Sequence, residues 1–172
     1  NRDILRMAAM LHDVGKVAIS DTILKKPGRF TPEEFQVMKL HTLYGANLFP
    51  DIYSDLDESA SIVALNHHER WDGKGYPGFI DPKTQQPLSG YEDENGGARG
   101  KKGEEIPFYG RIVALADVYD ALSSSRCYKE AWTEEDVINE IKKESGKQFD
   151  PELVEVFLDC VDTFSQIEKL YP

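Results

Sequence analysis

Apolar residues recur at helix spacing along most of the chain. Leu5, Ala8, Ala9 and Leu11 share a helix face that leads into His12, and Gly15 then breaks the pattern. Thr31-Pro32-Glu33-Glu34 reads as a helix start: Thr31 caps, Pro32 takes the first position and Glu34 returns to the cap amide. That helix is expected to run through Met38, His41 and Leu48 until Pro50 ends it. Another, opened by Asp55 and Glu58, carries Ile62, Val63 and Leu65 toward His67 and His68. From Trp71 to Gly110 the periodicity fades, and glycine, proline and charge take over. Helical signals resume near Pro107, and the apolar stretch from Arg111 to Leu122 predicts a buried helix. Thr133 with Asp136, and Asp150 with Pro151, mark two further starts, with Gly146 as a cap between them. Strand signals are few. The pattern predicts an all-α domain with one long Gly/Pro-rich loop excursion. A loop that long inside a compact domain commonly serves as a lid, a binding element or a mobile segment.

Composition narrows the partners. The chain has 172 residues, a single-domain length. Lys plus Arg is 20 and Asp plus Glu is 31, a net charge of −11. This acidity argues against a nucleic acid polymer as partner, because that grip needs many cations facing phosphates. It leaves room for a small phosphate ligand held by a local basic cluster or a metal. No run approaches the roughly 18 apolar residues of a membrane helix, and no secretory segment opens the chain. The two cysteines, Cys127 and Cys160, make neither a metal spacing nor a disulfide framework, so a reducing cytoplasm is the expected setting. The chain opens at Asn1 in a pattern already helical, which reads as a segment of a longer protein.

The candidate chemistry lies in four histidines and two aspartates. His12, His41, His67 and His68 each fall at or near the end of an apolar helical stretch. Asp13 follows His12 directly, and Asp117 interrupts the apolar run, where a charge is costly unless paired or metal-bound. Four imidazoles and two carboxylates suit a mixed nitrogen and oxygen site for iron, manganese or zinc. Spacing alone leaves a plainer alternative open, in which each histidine is a hydrogen-bonded core residue. Neighbours on a regular helix point about 100° apart, so His67 and His68 can share a metal only if the helix ends there.

Order and context then add to the picture. Leu11-His12-Asp13-Val14-Gly15-Lys16, His41, His67-His68-Glu69 with Gly75-Tyr76-Pro77, and Ala116-Asp117-Val118-Tyr119-Asp120-Ala121-Leu122 together resemble the HD-GYP family of HD-superfamily phosphohydrolases. The resemblance runs from near residue 5 past Asp150. It implies an HD-domain helical bundle and hydrolysis of cyclic di-GMP to pGpG, and onward to GMP. It also implies that His12, Asp13 and Asp117 hold one metal, with Asp13 bridging to a second held by His41, His67 and His68. Two or three divalent ions are expected, iron or manganese first, with zinc, nickel or magnesium able to replace them in a crystal. Lys16 matches a family lysine that faces a substrate phosphate, and is expected to act in catalysis with Asp13. Arg126-Cys127-Tyr128-Lys129 resembles a family motif that places Arg126 and Lys129 on the second phosphate. Tyr76 either stacks on a guanine or pins its loop to the core. The resemblance further implies that the loop meets a diguanylate cyclase domain. Glu69 and Asp120 are expected to orient histidines and backbone.

The chain departs from that pattern in two places. A further metal ligand, expected on a helix before His12, does not occur in residues 1–11, so the 1–172 catalytic domain reads as lacking one or more N-terminal helices. Residues 78–103 look like a loop insertion before Glu104-Glu105-Ile106-Pro107. Two other functions stay open at this level. One is a non-catalytic module that senses the dinucleotide or docks cyclase domains. The other is a phosphodiesterase for a different cyclic dinucleotide.

Overall fold

A computed structural model describes residues 1–124 and 132–170, without the side chains of 162 and 164–170. Eight α-helices dominate the described residues: α1 Arg2–Met10, α2 Asp21–Leu24, α3 Pro32–Lys39, α4 His41–Asn47, α5 Asp55–Asn66, α6 Phe108–Ser123, α7 Glu134–Lys143 and α8 Pro151–Leu170. Short 3-10 turns cover Val14–Ala18 and Gly103–Glu105. The all-α architecture stands. Among the described residues no helix is long and apolar enough to cross a membrane.

Local capping accounts for most of the starts. Thr31 Oγ1 accepts from the Glu34 amide while the Glu34 carboxylate accepts from the Thr31 amide at 2.7 Å, a reciprocal pair that fixes the first turn of α3. Ser54 caps α5 and Thr133 caps α7, each through the amide three residues on. Asp150 Oδ1 takes the Glu152 amide at 3.0 Å and starts α8.

One expectation needs correcting. The helix opened by Thr31 does not continue to Leu48 but breaks at Leu40 into α3 and α4. The cause is tertiary. α4 packs against the Val14–Ala18 turn so closely that a Cβ on Gly15 would stand 1.9 Å from the His41 carbonyl oxygen and 2.4 Å from the Gly45 amide nitrogen. Two backbones meet there, and the break lets α4 turn onto this contact.

Two apolar clusters share α6 as a common wall. Ala8, Ala60, Val63 and Val113 join α1, α5 and α6. Leu115, Tyr119, Val137, Ile141, Phe149, Val154 and Phe157 join α6 to α7 and α8. Arg111 pairs with the buried carboxylate of Asp150 at 2.6 Å and so ties α6 to the start of α8.

The excursion between α5 and α6 is built rather than featureless. Ile80–Asp81 and Gln86–Pro87 form a two-stranded antiparallel hairpin, and Glu92 bridges Ala98. Arg99 lies 4.8 Å from the Phe79 ring, and Phe79 and Tyr91 stack at 4.0 Å. Asn47 donates to the Pro82 carbonyl at 2.7 Å, anchoring the hairpin to α4.

Candidate metal centre

The chain converges on one spot from four directions. α1 delivers His12 just past its last turn, and Asp13 follows at the head of the 3-10 turn. His41 opens α4. α5 ends at Asn66, so His67 and His68 leave the helix and their rings come within 4.1 Å. Asp117 projects from the middle of α6. All six predicted ligands therefore meet, although 105 positions separate the first from the last.

Helix ends set the imidazoles. The Nδ1–H of His12 donates to the Ala9 carbonyl at 2.6 Å, that of His41 to the Met38 carbonyl at 2.7 Å, and that of His67 to the Val63 and Ala64 carbonyls at 3.1 and 3.0 Å. These carbonyls lie in the last turn of their helices, where the backbone ladder runs out and a second acceptor site is open. With the proton held on Nδ1, the Nε2 atoms of His41 and His67 turn lone pairs into the centre, and His12 offers one there once its second proton is lost. Two such lone pairs, on His41 and His67, face each other at 3.3 Å.

Asp13 sits between His12 on one side and His41 and His67 on the other. Its Oδ2 lies 3.3 Å from His12 Nε2 and accepts from the Lys16 ammonium. Its Oδ1 lies 3.4 Å from His41 Nε2 and 3.7 Å from His67 Nε2, is buried, and has no hydrogen bond. Burial alone would push this carboxyl up, but His12, His67 and Lys16 hold it well below the usual carboxylate range. Asp117 Oδ1 stands 3.6 Å from His12 Nε2. With Asp117 and Asp13 beside it, His12 is pushed up from 6.5 to about 10. Burial pushes His68 down to about 3, helped by His67 and His41, and burial also lowers His41.

This donor set fits divalent metal. The ligating atoms of Asp13, His41, His67 and His68 lie within 4.8 Å of one another. An orphaned buried carboxylate oxygen and facing imidazole lone pairs both call for a cation between them.

The signature loop closes one side of the centre. The Tyr76 ring stacks on His68 at 4.8 Å and 26°, so Tyr76 pins its loop to the centre. Gly75 is obligatory, because a Cβ there would meet the Arg70 amide nitrogen at 2.3 Å. Glu69 holds backbone rather than histidine: its buried carboxylate accepts from the Gly78 amide at 2.6 Å and the Lys101 amide at 3.2 Å. Asp120 is exposed and accepts from the Ser124 hydroxyl at 3.4 Å, away from the histidines. Arg126 and Lys129 lie outside the described residues, as does Cys127.

Three contributors escaped the sequence reading. Lys101 is only 9% exposed and its ammonium donates to Asn66 Oδ1 on the last turn of α5. The adjacent lysines 101 and 102 look alike in sequence, but only the first is buried. Phe35 and Lys39, four apart on α3, also reach the Tyr76 ring. Their helical spacing just before His41 was the available signal.

Known proteins resemble this chain along most of its length. Residues 1–122 match the model of the HD domain family. A 3'3'-cGAMP-specific phosphodiesterase 2 of Vibrio cholerae is 38% identical over 170 residues, covering 99% of this chain and 28% of its own. A cyclic di-GMP phosphodiesterase of Thermotoga maritima is 44% identical over 154 residues, covering 90% of this chain and 36% of its own. The cyclic di-GMP phosphodiesterase response regulator RpfG of Xanthomonas campestris is 41% identical over 155 residues, covering 90% and 35%. The chain thus spans about a third of the length of these curated relatives.

Proposed function

This chain belongs to the HD domain family, in the branch marked by Gly75-Tyr76-Pro77, and we propose that it is a metal-dependent phosphodiesterase opening cyclic di-GMP to linear pGpG and onward to GMP. The observation that carries this reading is Asp13, whose Oδ2 faces His12 while its Oδ1 faces His41 and His67 and lacks any hydrogen bond. In this reading His12, Asp13 and Asp117 hold one ion, and Asp13, His41, His67 and His68 a second. Iron or manganese is the expected metal, and two or three ions the expected count. Such ions activate water and draw charge from phosphate oxygens.

The protein's own groups do the rest. Backbone carbonyls keep the His12, His41 and His67 protons on Nδ1, so the rings need not turn on loading and His12 gives up only its Nε2 proton. Lys16 is anchored on Asp13, and in this reading its ammonium turns toward a phosphate oxygen. Arg126 and Lys129 complete the grip on the second phosphate. A diguanylate cyclase domain meeting the signature loop, and a cytoplasmic setting, belong to the same proposal.

The named relatives divide between cyclic di-GMP and 3'3'-cGAMP, which supports a second reading with the mixed dinucleotide as substrate. The deciding experiment reconstitutes the protein anaerobically with iron or manganese and follows both cyclic dinucleotides by chromatography, with Asp13→Ala alongside. Product from cyclic di-GMP that vanishes in the variant is expected. Metal-loaded protein that releases no product from either dinucleotide would overturn the proposal.

A further inference from the structure

A cavity of about 350 Å³ opens beside the metal centre, between the end of α3 and the excursion. Gln36 and Lys39 line one side, Tyr76 another, and Asp93 and Ala98 of the excursion the far wall. Tyr76 joins this cavity to the centre through its stack on His68. The Lys39 ammonium stands 5.0 Å from the Phe35 ring centroid and 5.2 Å from that of Tyr76, and the two rings meet edge to face at 6.3 Å.

Lys39 and Asp93 both line this space, and neither forms an ion pair among the described residues. Lys39 has no carboxylate within ion-pair distance among the described residues, whereas Lys16 is tied to Asp13. Asp93 uses Oδ1 for the Asn95 and Gly97 amides, both at 2.8 Å, and its Oδ2 has no donor among the described residues. A bare phosphate would want the lysine and be repelled by the aspartate. A guanine uses both: O6 and N7 accept from an ammonium, while N1–H and the 2-amino group donate to a carboxylate. Its π-face also suits an aromatic wall. Adenine offers an amino group where guanine has O6, and a bare N1 where guanine has N–H. It would meet Lys39 donor to donor and Asp93 acceptor to acceptor.

We propose that this cavity is a guanine-binding subsite, with Lys39 and Asp93 as the specificity pair and the 78–103 excursion as its outer wall. This rests on the reading of the chain as a cyclic-dinucleotide phosphodiesterase. The excursion then has a definite task, which is to bring a carboxylate opposite the last turn of α3.

Calorimetry with GMP and AMP on the metal-loaded protein tests it, since the phosphates are identical and any difference reports the base. GMP is expected to bind about tenfold or more tightly than AMP, as befits a site built to hydrogen-bond its ligand. Asp93→Asn and Lys39→Met should each bring that ratio toward unity. In steady state each should raise KM for cyclic di-GMP far more than it lowers kcat. Equal affinities in the wild type, or a ratio that neither variant moves, would overturn the subsite. Failure of the enzymatic reading looks different: the GMP preference survives in a protein that hydrolyses neither cyclic dinucleotides nor bis(p-nitrophenyl) phosphate.

Discussion

In the proposed centre the two oxygens of Asp13 carry different duties, and this makes the residue irreplaceable by its amide. Asparagine keeps the shape but loses the charge and turns one oxygen into a donor aimed at imidazole lone pairs. Asp13→Asn should therefore lose metal, measured by elemental analysis, and lose turnover with it, while circular dichroism stays native. His12 and His68 set the pH behaviour of the protein stripped by chelator. His12, raised from 6.5 to about 10, stabilises fully below 6.5 and loses that contribution as pH climbs toward 10. His68, lowered from 6.5 to about 3, stabilises above 6.5 and loses that contribution as pH falls toward 3. From these two groups the metal-free protein should melt highest near pH 6.5. Bound metal requires a neutral His12, so loading should flatten the alkaline side. Thermal melts across pH with and without chelator would show a persistent alkaline decline if this were wrong. The candidate ligands were legible in the sequence because each type has few other uses: four histidines and an aspartate in an apolar run. Lys101 was not, because nothing in Lys101-Lys102 says which ammonium goes inside.

At the scale of elements, local and distant causes separate cleanly. The starts of α3, α7 and α8 were readable because their caps lie within three residues of the helices they open. The break at Leu40 was not, since its cause is a backbone contact from Gly15, twenty-five positions upstream. Gly15→Ala puts a methyl group into that contact and cannot be absorbed by a rotamer change. It should destabilise by about 1–3 kcal/mol, the usual cost of overpacking, and weaken metal binding through displaced His41. Unchanged denaturation midpoint and metal affinity would refute the point. The order of the excursion was equally hidden, because Glu69 reaches amides 9 and 32 residues away. Glu69→Ala leaves two buried N–H groups without an acceptor, at about 1–3 kcal/mol each. A urea titration should show the loss. A methyl group at residue 69 that left the midpoint in place would mean that the clamp does not hold the loop.

For the whole molecule, the centre is also a fastener. α1, the Val14–Ala18 turn, α4, α5 and α6 each end or pass at the six candidate ligands. A ligand that binds only the folded state stabilises it by mass action, so metal should raise the melting temperature and chelator lower it. An unchanged melt after verified metal removal would contradict this. The second cluster, formed by α6, α7 and α8, lies beyond the ligands and is joined to them through α6 alone among its own helices.

Lys101 offers a way to watch the molecule breathe. Its ammonium is sealed under the excursion, against Asn66 and beside Phe79 at 5.5 Å, while Lys102 next to it faces solvent. Burial lowers the pKa of Lys101, so a larger share of it is the free amine that acylating reagents attack. The pair is thus a built-in stopwatch. Lys102 marks the moment reagent is added, and the later modification of Lys101 records how often the loop above it lifts.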